Sequence, residues 1–425
     1  MKKLTTLALA AGLIVAAAAP ASAVDTKVSG HYLFSFQRAQ TGFEGVDHEF
    51  AAQRFRLGLA FTASENLSGY TEFDAKENWY SNVSNSPTVR LAYMDWMIPG
   101  TAAKVRMGKF ETGFVTDAFG ANSVMGPGAE QTGIKVVAPV ADWMTLAAMW
   151  ARTGAPAAVA NPGYDVSAGD NTDIFSAYAN MKFDGISINP WVAAAFDQAG
   201  MTDHRAKAPA TALAGDRQAY WGGVSAALTL FDPLTVKASA SVGTHEYEGV
   251  ADRNGWQVQA IASYKLAFGT PSFGFWYGSG DDKDAQYATQ NWLPTTGSGK
   301  FAPVSTFTDN VWGLSKGQAN GNIMGTWGLK LGLNGVSFLS GLTHDFAVAM
   351  YNGTNHDDAA AKASGITNYL TWSDTVYEFD FNTTYQIYKN LAANLELAYV
   401  INDLDDQTTK GDDDWRAALH FKYSF

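Results

Sequence analysis

Residues 415–425 end the chain with the stretch WRAALHFKYSF, in which apolar and polar residues alternate strictly. The apolar parity consists of Trp415, Ala417, Leu419, Phe421, Tyr423 and Phe425. The opposite parity consists of Arg416, Ala418, His420, Lys422 and Ser424. A period of two is that of a β-strand with one apolar and one polar face. This strand alone does not say whether its apolar face meets a protein core or a lipid bilayer, so the rest of the chain decides the fold.

The composition indicates a membrane protein built from strands. Of the 425 residues, 13% are aromatic and only 16% are charged, and there are 41 glycines and no cysteine. Mean hydropathy is −0.12, which suits strands whose residues alternate between lipid and water and is too polar for a bundle of membrane helices. The net charge of −12 argues against a nucleic-acid partner. The absence of cysteine excludes disulfides and Cys-ligated metals.

The first 23 residues have the pattern of a secretory signal peptide. Lys2 and Lys3 precede a short apolar run that ends in Ala21-Ser22-Ala23, an A-x-A cleavage site. The mature chain is therefore expected to begin at Val24. No later stretch of about 18 apolar residues could form a membrane helix, so we predict one β-barrel domain over residues 24–425.

Segments of alternating residues recur along the chain and are separated by connections that alternate in length. Clear strand segments are 28–38, 53–61, 67–76, 376–387 and 391–401. Short turns are predicted at 64–66, 99–101, 140–141, 184–185, 231–233, 267–270, 334–335 and 389–390. Long polar connections are predicted at 39–47, 79–87, 111–131, 153–172, 198–217, 247–253, 279–321, 351–375 and 402–412. Short periplasmic turns and long outer loops are typical of an outer-membrane barrel, whereas a soluble sandwich has no reason to sort its loops in this way.

The connections divide the chain into eighteen strands, with both ends in the periplasm. The predicted fold is an all-β, transmembrane, antiparallel up-and-down barrel. Sixteen strands is the alternative, because the segments 132–139 and 271–278 are short. Aromatic residues next to the short turns predict a girdle at the membrane interface; they are Phe61, Trp96, Trp143, Phe183, Phe231, Phe268, Tyr388 and Phe425.

Charged residues fall on the inward parity of the early strands. They are Arg54, Arg56, Glu72, Asp74, Lys76, Arg90, Lys104 and Arg106. Charges that point into a barrel are tolerated only if the interior holds water, and sixteen to eighteen strands leave an aqueous channel. These residues are therefore candidates for lining a pore, although scattered charges on a solvated wall are the simpler interpretation for any one of them.

The third long connection is rich in Gly, Ala, Asn and Pro, which is unusual for an exposed loop. This composition suits a segment that folds back into the lumen and narrows it. Its acidic residues, Glu111, Asp117 and Glu130, are expected to face the basic wall. A transverse field of this kind would orient water and polar solutes.

Signatures of enzymes, cofactors and metals are weak. The GSGK motif at 297–300 lacks the context of a phosphate-binding loop. Adjacent His and acidic residues at 245–246 and 344–345 point to opposite faces of a strand. The acidic stretch 402–414 is either a solvated outer loop or a weak divalent-cation bridge to lipopolysaccharide, and a barrel hydrolase remains an open minor alternative. We predict no enzyme, no cofactor and no dedicated metal site.

Two stretches resemble a known family. VRLAYMDW at 89–96 and KVRMGKFETGF at 104–114, followed by a long third loop, resemble the constriction region of Gram-negative trimeric general porins. AVDTKVSGHYLFSFQR at 23–38 resembles the homotrimeric outer-membrane porins of sulfate-reducing bacteria, and the terminal Phe resembles the assembly signal of outer-membrane barrels. The resemblance implies a homotrimer in which Arg54, Arg56, Arg90 and Arg106 face the acids of the third loop. The longer chain and the long connection 279–321 depart from that family.

The predicted function is passive diffusion of ions and small hydrophilic solutes through a water-filled channel with a charged constriction. The alternative is an 18-stranded, substrate-selective channel of the sugar type. In either case the expected surroundings are outer-membrane lipid and lipopolysaccharide.

Overall fold

The computed structural model describes residues 24–41, 46–78, 87–153, 172–197, 217–247, 251–296, 324–360, 369–404 and 413–425. Within these ranges, eighteen antiparallel strands form one closed sheet in chain order. The strands are β1 (Asp25–Thr41), β2 (Val46–Ser64), β3 (Leu67–Asn78), β4 (Thr88–Met97), β5 (Lys104–Glu111), β6 (Glu130–Ala141), β7 (Met144–Thr153), β8 (Thr172–Phe183), β9 (Ile186–Asp197), β10 (Arg217–Phe231), β11 (Leu234–Tyr247), β12 (Arg253–Tyr264), β13 (Thr270–Gly278), β14 (Thr326–Leu339), β15 (Leu342–Gly353), β16 (Thr375–Tyr388), β17 (Leu391–Asp403) and β18 (Asp414–Ser424). One short helix, α1 (Asp357–Ala360), lies between β15 and β16.

The barrel closes where the last strand meets the first. β18 pairs antiparallel with β1, with Tyr32 opposite Tyr423, and Gly30 and Phe425 exchange backbone hydrogen bonds of 2.9 and 3.0 Å. The terminal Phe is therefore part of the sheet, which has no free edge. The prediction of eighteen strands is confirmed and the alternative of sixteen is wrong.

The two faces of the wall differ as the terminal strand predicts. Leu419, Tyr423 and Phe425 are 39–45% exposed on the outside, while Arg416 and His420 are almost fully buried on the inside. An apolar exterior around a polar interior is the pattern of a barrel in the bacterial outer membrane. No helix within the described residues is long and apolar enough to cross a membrane.

Two short turns lie elsewhere than predicted. The turn predicted at 140–141 is formed by Asp142 and Trp143, and the one predicted at 334–335 by Ser340 and Gly341. Two outer connections are also shorter than predicted, because the flanking strands extend further than expected. Only residues 42–45 and 248–252 remain between those strands.

The misplaced turn at 334–335 has a specific cause. Asn-Gly is a strong hairpin signal because both positions tolerate positive φ. Gly335 does have φ +71°, but it lies in an irregularity within β14, between Leu333 and Val336. Its N–H donates to Oδ1 of Asp345 at 2.7 Å. The same local conformation thus serves a bulge, and β14 continues beyond it.

The predicted aromatic residues flank the short turns on the outer surface. Phe231, Phe268 and Tyr388 are 59–68% exposed, and Trp143 stacks on Phe183 with ring centroids 5.5 Å apart. Amphipathic rings exposed at one end of a barrel are those of an interfacial girdle.

The apolar cores lie inside the barrel, where loops fold onto the wall. One cluster joins Phe110, Phe114 and Met125 to Trp191 and Trp221 of the wall. The other joins Trp276 and Tyr351 of the wall to Trp292, Tyr369 and Leu370 of two outer connections. These clusters hold the connections that shape the channel. The predicted signal peptide 1–23, the 297–300 motif, and Asp405, Asp406 and Asp412 lie outside the described residues.

Candidate channel constriction

A row of charged side chains on β2 and β3 brings together five of the predicted residues. Asp74 is central: its carboxylate lies 3.5 Å from Nε of Arg54, 3.2 Å from Nη2 of Arg56 and 3.7 Å from Nζ of Lys76. Arg56 also lies 3.8 Å from Glu72. Alternation places these residues on one face, and the antiparallel register sets Arg56 directly opposite Asp74.

Arg90 connects this row to the third loop. It is the extra residue of an irregularity in β4, because Glu72 pairs with Leu91 while Phe73 pairs with Val89. Its guanidinium donates hydrogen bonds to Glu72 at 2.6 Å and to Glu111, and its Nε forms an ion pair with Glu130 at 2.7 Å. Glu111 and Glu130 therefore both contact a basic residue, although they lie on the outward parity of β5 and β6, next to the buried Phe110 and Gln131.

Lys104 and Arg106 form a second group nearer the periplasmic end. Arg106 makes a bidentate pair with Asp95, with both N···O distances 2.7 Å, and Lys104 lies 3.6 Å from the same carboxylate. The Arg106 guanidinium lies over the Tyr93 ring, 3.9 Å from its centroid.

Three charged residues of this region were not among the predicted ones. Asp95 and Lys135 lie on inward parities of β4 and β6, so alternation could have found them. Lys109 lies 3.3 Å from Glu130, on the outward parity of β5, and only this tertiary contact connects it to the group. We call the set the charged wall; its basic members are Arg54, Arg56, Lys76, Arg90, Lys104, Arg106, Lys109 and Lys135, and its acidic members are Glu72, Asp74, Asp95, Glu111 and Glu130. The wall therefore has an excess of three positive charges.

Loop 3, residues 112–129, folds into the barrel as predicted. Gly113 O accepts from the Tyr178 hydroxyl at 3.1 Å, Thr116 O from Ser225 Oγ at 2.8 Å, and the Ala118 N–H donates to Ser239 Oγ at 3.0 Å. These partners lie on β8, β10 and β11. Loop 3 thus covers the side of the interior away from most of the charged wall.

Small side chains make room for loop 3 on this side. The buried inward residues of β7 to β11 include Ala147, Ser176, Ala193, Ala195, Ser225 and Ser239. The loop fills the space with larger apolar groups: Phe114 packs edge-on against Trp191 at 5.3 Å, and Phe119 against Trp276 at 6.1 Å. Loop 3 therefore lies where short and aromatic residues line the wall, and not against the long charged residues on β2 to β6.

Asp117 does not face the charged wall, so that part of the prediction is wrong. It is buried within loop 3, where Oδ2 accepts from the Ser123 N–H at 2.9 Å and its hydroxyl at 2.8 Å. The amides of Gln257 and Gln259 donate to the same oxygen at 3.3 Å. Asp117 therefore ties loop 3 to β12, because the two neutral amides that donate to it from the wall lie on that strand.

We expect the stability of the folded, docked form of loop 3 to depend on pH through Asp117. Burial raises the pKa of this carboxyl from 3.8 to about 6, so its ionised form is disfavoured in the folded loop. The cost is absent below the ordinary pKa and fully present above the raised one, at about 3 kcal/mol. Acidification from about pH 8 to about pH 5 should therefore slow proteolysis of loop 3. In Asp117→Asn the rate should not respond to pH, and an unchanged pH response in that variant would contradict the assignment.

Loop 7 comprises residues 279–325, and its described segment 279–296 lies on top of loop 3. The N–H and hydroxyl of Thr296 both donate to Val124 O, at 3.0 and 2.8 Å. Trp221 of β10 donates its indole N–H to Pro294 O at 2.8 Å. The described part of this long connection therefore turns inward, which sequence reasoning left open.

The strands β16 to β18 present a buried group of opposite character. Glu396 pairs with Arg416 and lies 3.5 Å from His420, and Glu378 and Asp380 are also buried on this wall. Alternation places all of them inward. Among the described residues, no group of three His, Asp or Glu side chains is arranged to hold a metal ion.

Comparison with known proteins bears on the fold. No family model and no curated protein matches the sequence. Solved structures similar to this chain include three channels from Pseudomonas aeruginosa. OpdO matches with a TM-score of 0.58 and 13% identity over 94% of this chain and 97% of its own. OpdL matches with 0.57 and 11% over 94% and 99%, and OpdK, solved with vanillate, with 0.58 and 12% over 94% and 98%. These likenesses show the fold. The chain is an 18-stranded β-barrel of the outer-membrane type.

Proposed function

We propose that the chain is a substrate-selective channel for small hydrophilic anions, carboxylates in particular. The observation that carries this proposal is the charged wall, with three more basic than acidic side chains opposite the packed loop 3. An excess of positive charge in a confined aqueous passage attracts anions and raises their local concentration. The fold similarity to OpdK, which was solved with vanillate, a small carboxylate, supports the same class of solute.

The two kinds of basic residue have different roles in this proposal. The guanidiniums of Arg54 and Arg90 are at most 10% exposed and are held by carboxylates, so they fix the shape and field of the wall. The side chains of Lys76 and Lys104 are 49% and 38% exposed and lie 3.6–3.7 Å from their partners. Such loosely paired ammonium groups can exchange an internal carboxylate for that of a solute at little cost.

Planar-bilayer recording tests the proposal. In a KCl gradient we expect the reversal potential to indicate preference for chloride, and millimolar vanillate or benzoate to reduce the KCl current reversibly. Benzamide, which is neutral and similar in shape, should not. The double variant Lys76→Gln/Lys104→Gln should weaken block by benzoate several-fold. Lys389→Gln, in a periplasmic turn, is the matched control.

A cation-selective current that carboxylates do not reduce would overturn the carboxylate assignment and return the chain to general diffusion of ions and small solutes. The homotrimer implied by the sequence resemblance, the expected contacts with lipopolysaccharide and the cleavage before Val24 remain predictions.

A further inference from the structure

We propose that Asn355, in an outer connection, is a positioning residue of the constriction: through loop 7 it holds the upper surface of loop 3. Asn355 lies in loop 8, residues 354–374, and its side chain is fully buried. It does not contact loop 3 itself. The inference rests on the proposed function only in that the protein must conduct.

The Asn355 amide joins three parts of loop 7. Its Oδ1 accepts from the Asp281 N–H at 2.8 Å and from the Trp292 indole N–H at 2.7 Å. Its Nδ2 lies 3.5 Å from Gly325 O. One side chain therefore fixes the start, the inner segment and the end of a connection of 47 residues between β13 and β14. Buried amides that are fully bonded in this way give a loop one arrangement.

Asn355 also connects separate parts of its own loop 8, and so joins that loop to loop 7. Asn355 Nδ2 donates to Leu370 O at 2.6 Å, and Asn355 O accepts from the Trp372 N–H at 3.0 Å. Tyr369 adds a second link, because its ring stacks on Trp292 at 5.6 Å and its hydroxyl donates to Asp281 at 2.7 Å. The described parts of loops 7 and 8 therefore form a single unit.

From Trp292 the contacts run directly to loop 3. Trp292 O accepts from Arg253 Nε at 3.1 Å, and Leu293 packs in the same apolar cluster as Phe114 and Met125 of loop 3. Three residues further on, Thr296 bonds Val124 O. The bonds that hold Trp292 therefore determine the position and direction of residues 293–296, which contact loop 3.

Gly325 shows how closely the parts fit. It has φ +67°, and a Cβ at this position would lie 2.4 Å from Nε1 of Trp292. Any side chain there would push the indole away from Asn355. Gly325→Ala therefore disrupts the same joint from a different residue and gives an independent second variant.

The test compares Asn355→Ala with Asn352→Ala in single-channel KCl recordings. Asn352 is a matched control, because its amide on β15 donates to the Thr375 hydroxyl on the neighbouring strand β16 and not to loop 7. We expect Asn355→Ala and Gly325→Ala to raise open-channel current noise several-fold and to shift conductance, while Asn352→Ala behaves as the wild type. Heat-modifiable gel migration identifies barrels that have folded. If Asn355→Ala does not fold, Trp292→Phe removes the indole N–H together with part of the fused ring and gives the same readout.

A disulfide separates positioning from a general loss of structure. The chain contains no cysteine, and the hydrogen bond from Thr296 N to Val124 O brings these positions within reach of a disulfide. In the background of Asn355→Ala, forming the disulfide between Val124→Cys and Thr296→Cys should return the current noise to the wild-type level. Reducing the disulfide should raise the noise again.

Wild-type noise in a folded Asn355→Ala channel, or noise that oxidation leaves unchanged, would overturn the inference. Both readouts use KCl alone. Their outcome is therefore independent of whether the channel selects carboxylates, as the proposed function states.

Discussion

Replacing Arg54 and Arg56 together by Gln is expected to shift the channel toward cations by about fivefold in the chloride-to-potassium permeability ratio. The change lowers the excess charge of the charged wall from three to one. Asp74 then keeps only Lys76 at 3.7 Å, and Glu72 keeps Arg90 at 2.6 Å. Two charges about 7 Å from a passing ion contribute about 1 kcal/mol in total in water, which corresponds to that ratio.

Reversal potentials in KCl gradients measure this effect. The shift should be larger at 0.1 M salt, where the screening length is about 10 Å, than at 1 M, where it is about 3 Å. Neutralising Asp405 and Asp406, in a predicted outer loop, should change the ratio far less, although it alters the net charge of the chain equally. Equal responses of the two double variants would show that the charged wall does not control selectivity.

Replacing Arg90 by Gln is expected to lower the free energy of unfolding by about 3 kcal/mol and to make the open channel noisy. The β4–β5 ladder is the shortest of the barrel, with six residue pairs from Ala92 to Met97. Above it the wall is closed by the contacts of Arg90 with Glu72, Glu111 and Glu130. Breaking a largely buried ion pair leaves carboxylates without a compensating charge. The expected cost lies at the low end of the range for buried ion pairs, because two of these carboxylates keep contact with water.

Urea unfolding, followed by heat-modifiable migration, measures the loss of stability. Arg38→Gln is a matched control, since Arg38 and Glu49 are 58% and 63% exposed at 3.8 Å, and its cost should stay below about 1 kcal/mol. Arg90→Lys should recover only part of the stability, because one ammonium group cannot reach three carboxylates in the geometry of a guanidinium. Equal stability of Arg90→Gln and Arg38→Gln would show that β4 and β5 are held by their backbone alone.

Period-two alternation determined much of this protein. It assigned Trp415–Phe425 to a strand, gave the count of eighteen, and placed Arg54, Arg56 and Asp74 on the inner face. These features depend on residues next to one another in the chain, or on neighbouring strands whose register follows from a short turn. The composition of loop 3 also predicted its inward course, because small apolar residues are poorly suited to an exposed loop.

Other features were decided only by the tertiary structure. Asp117 meets Gln257 and Gln259, and Asn355 meets Asp281 and Trp292, across sequence separations of 63 to 142 residues. No local sequence pattern predicts contacts between residues so far apart in the chain. Which strand faces which loop depends on closure of the whole ring, and the direction of a loop inside it depends on where the wall carries short side chains. The Asn334-Gly335 pair makes the same point on a small scale: the sequence specifies positive φ, but pairing with β15 determines whether that conformation ends a strand or bends it.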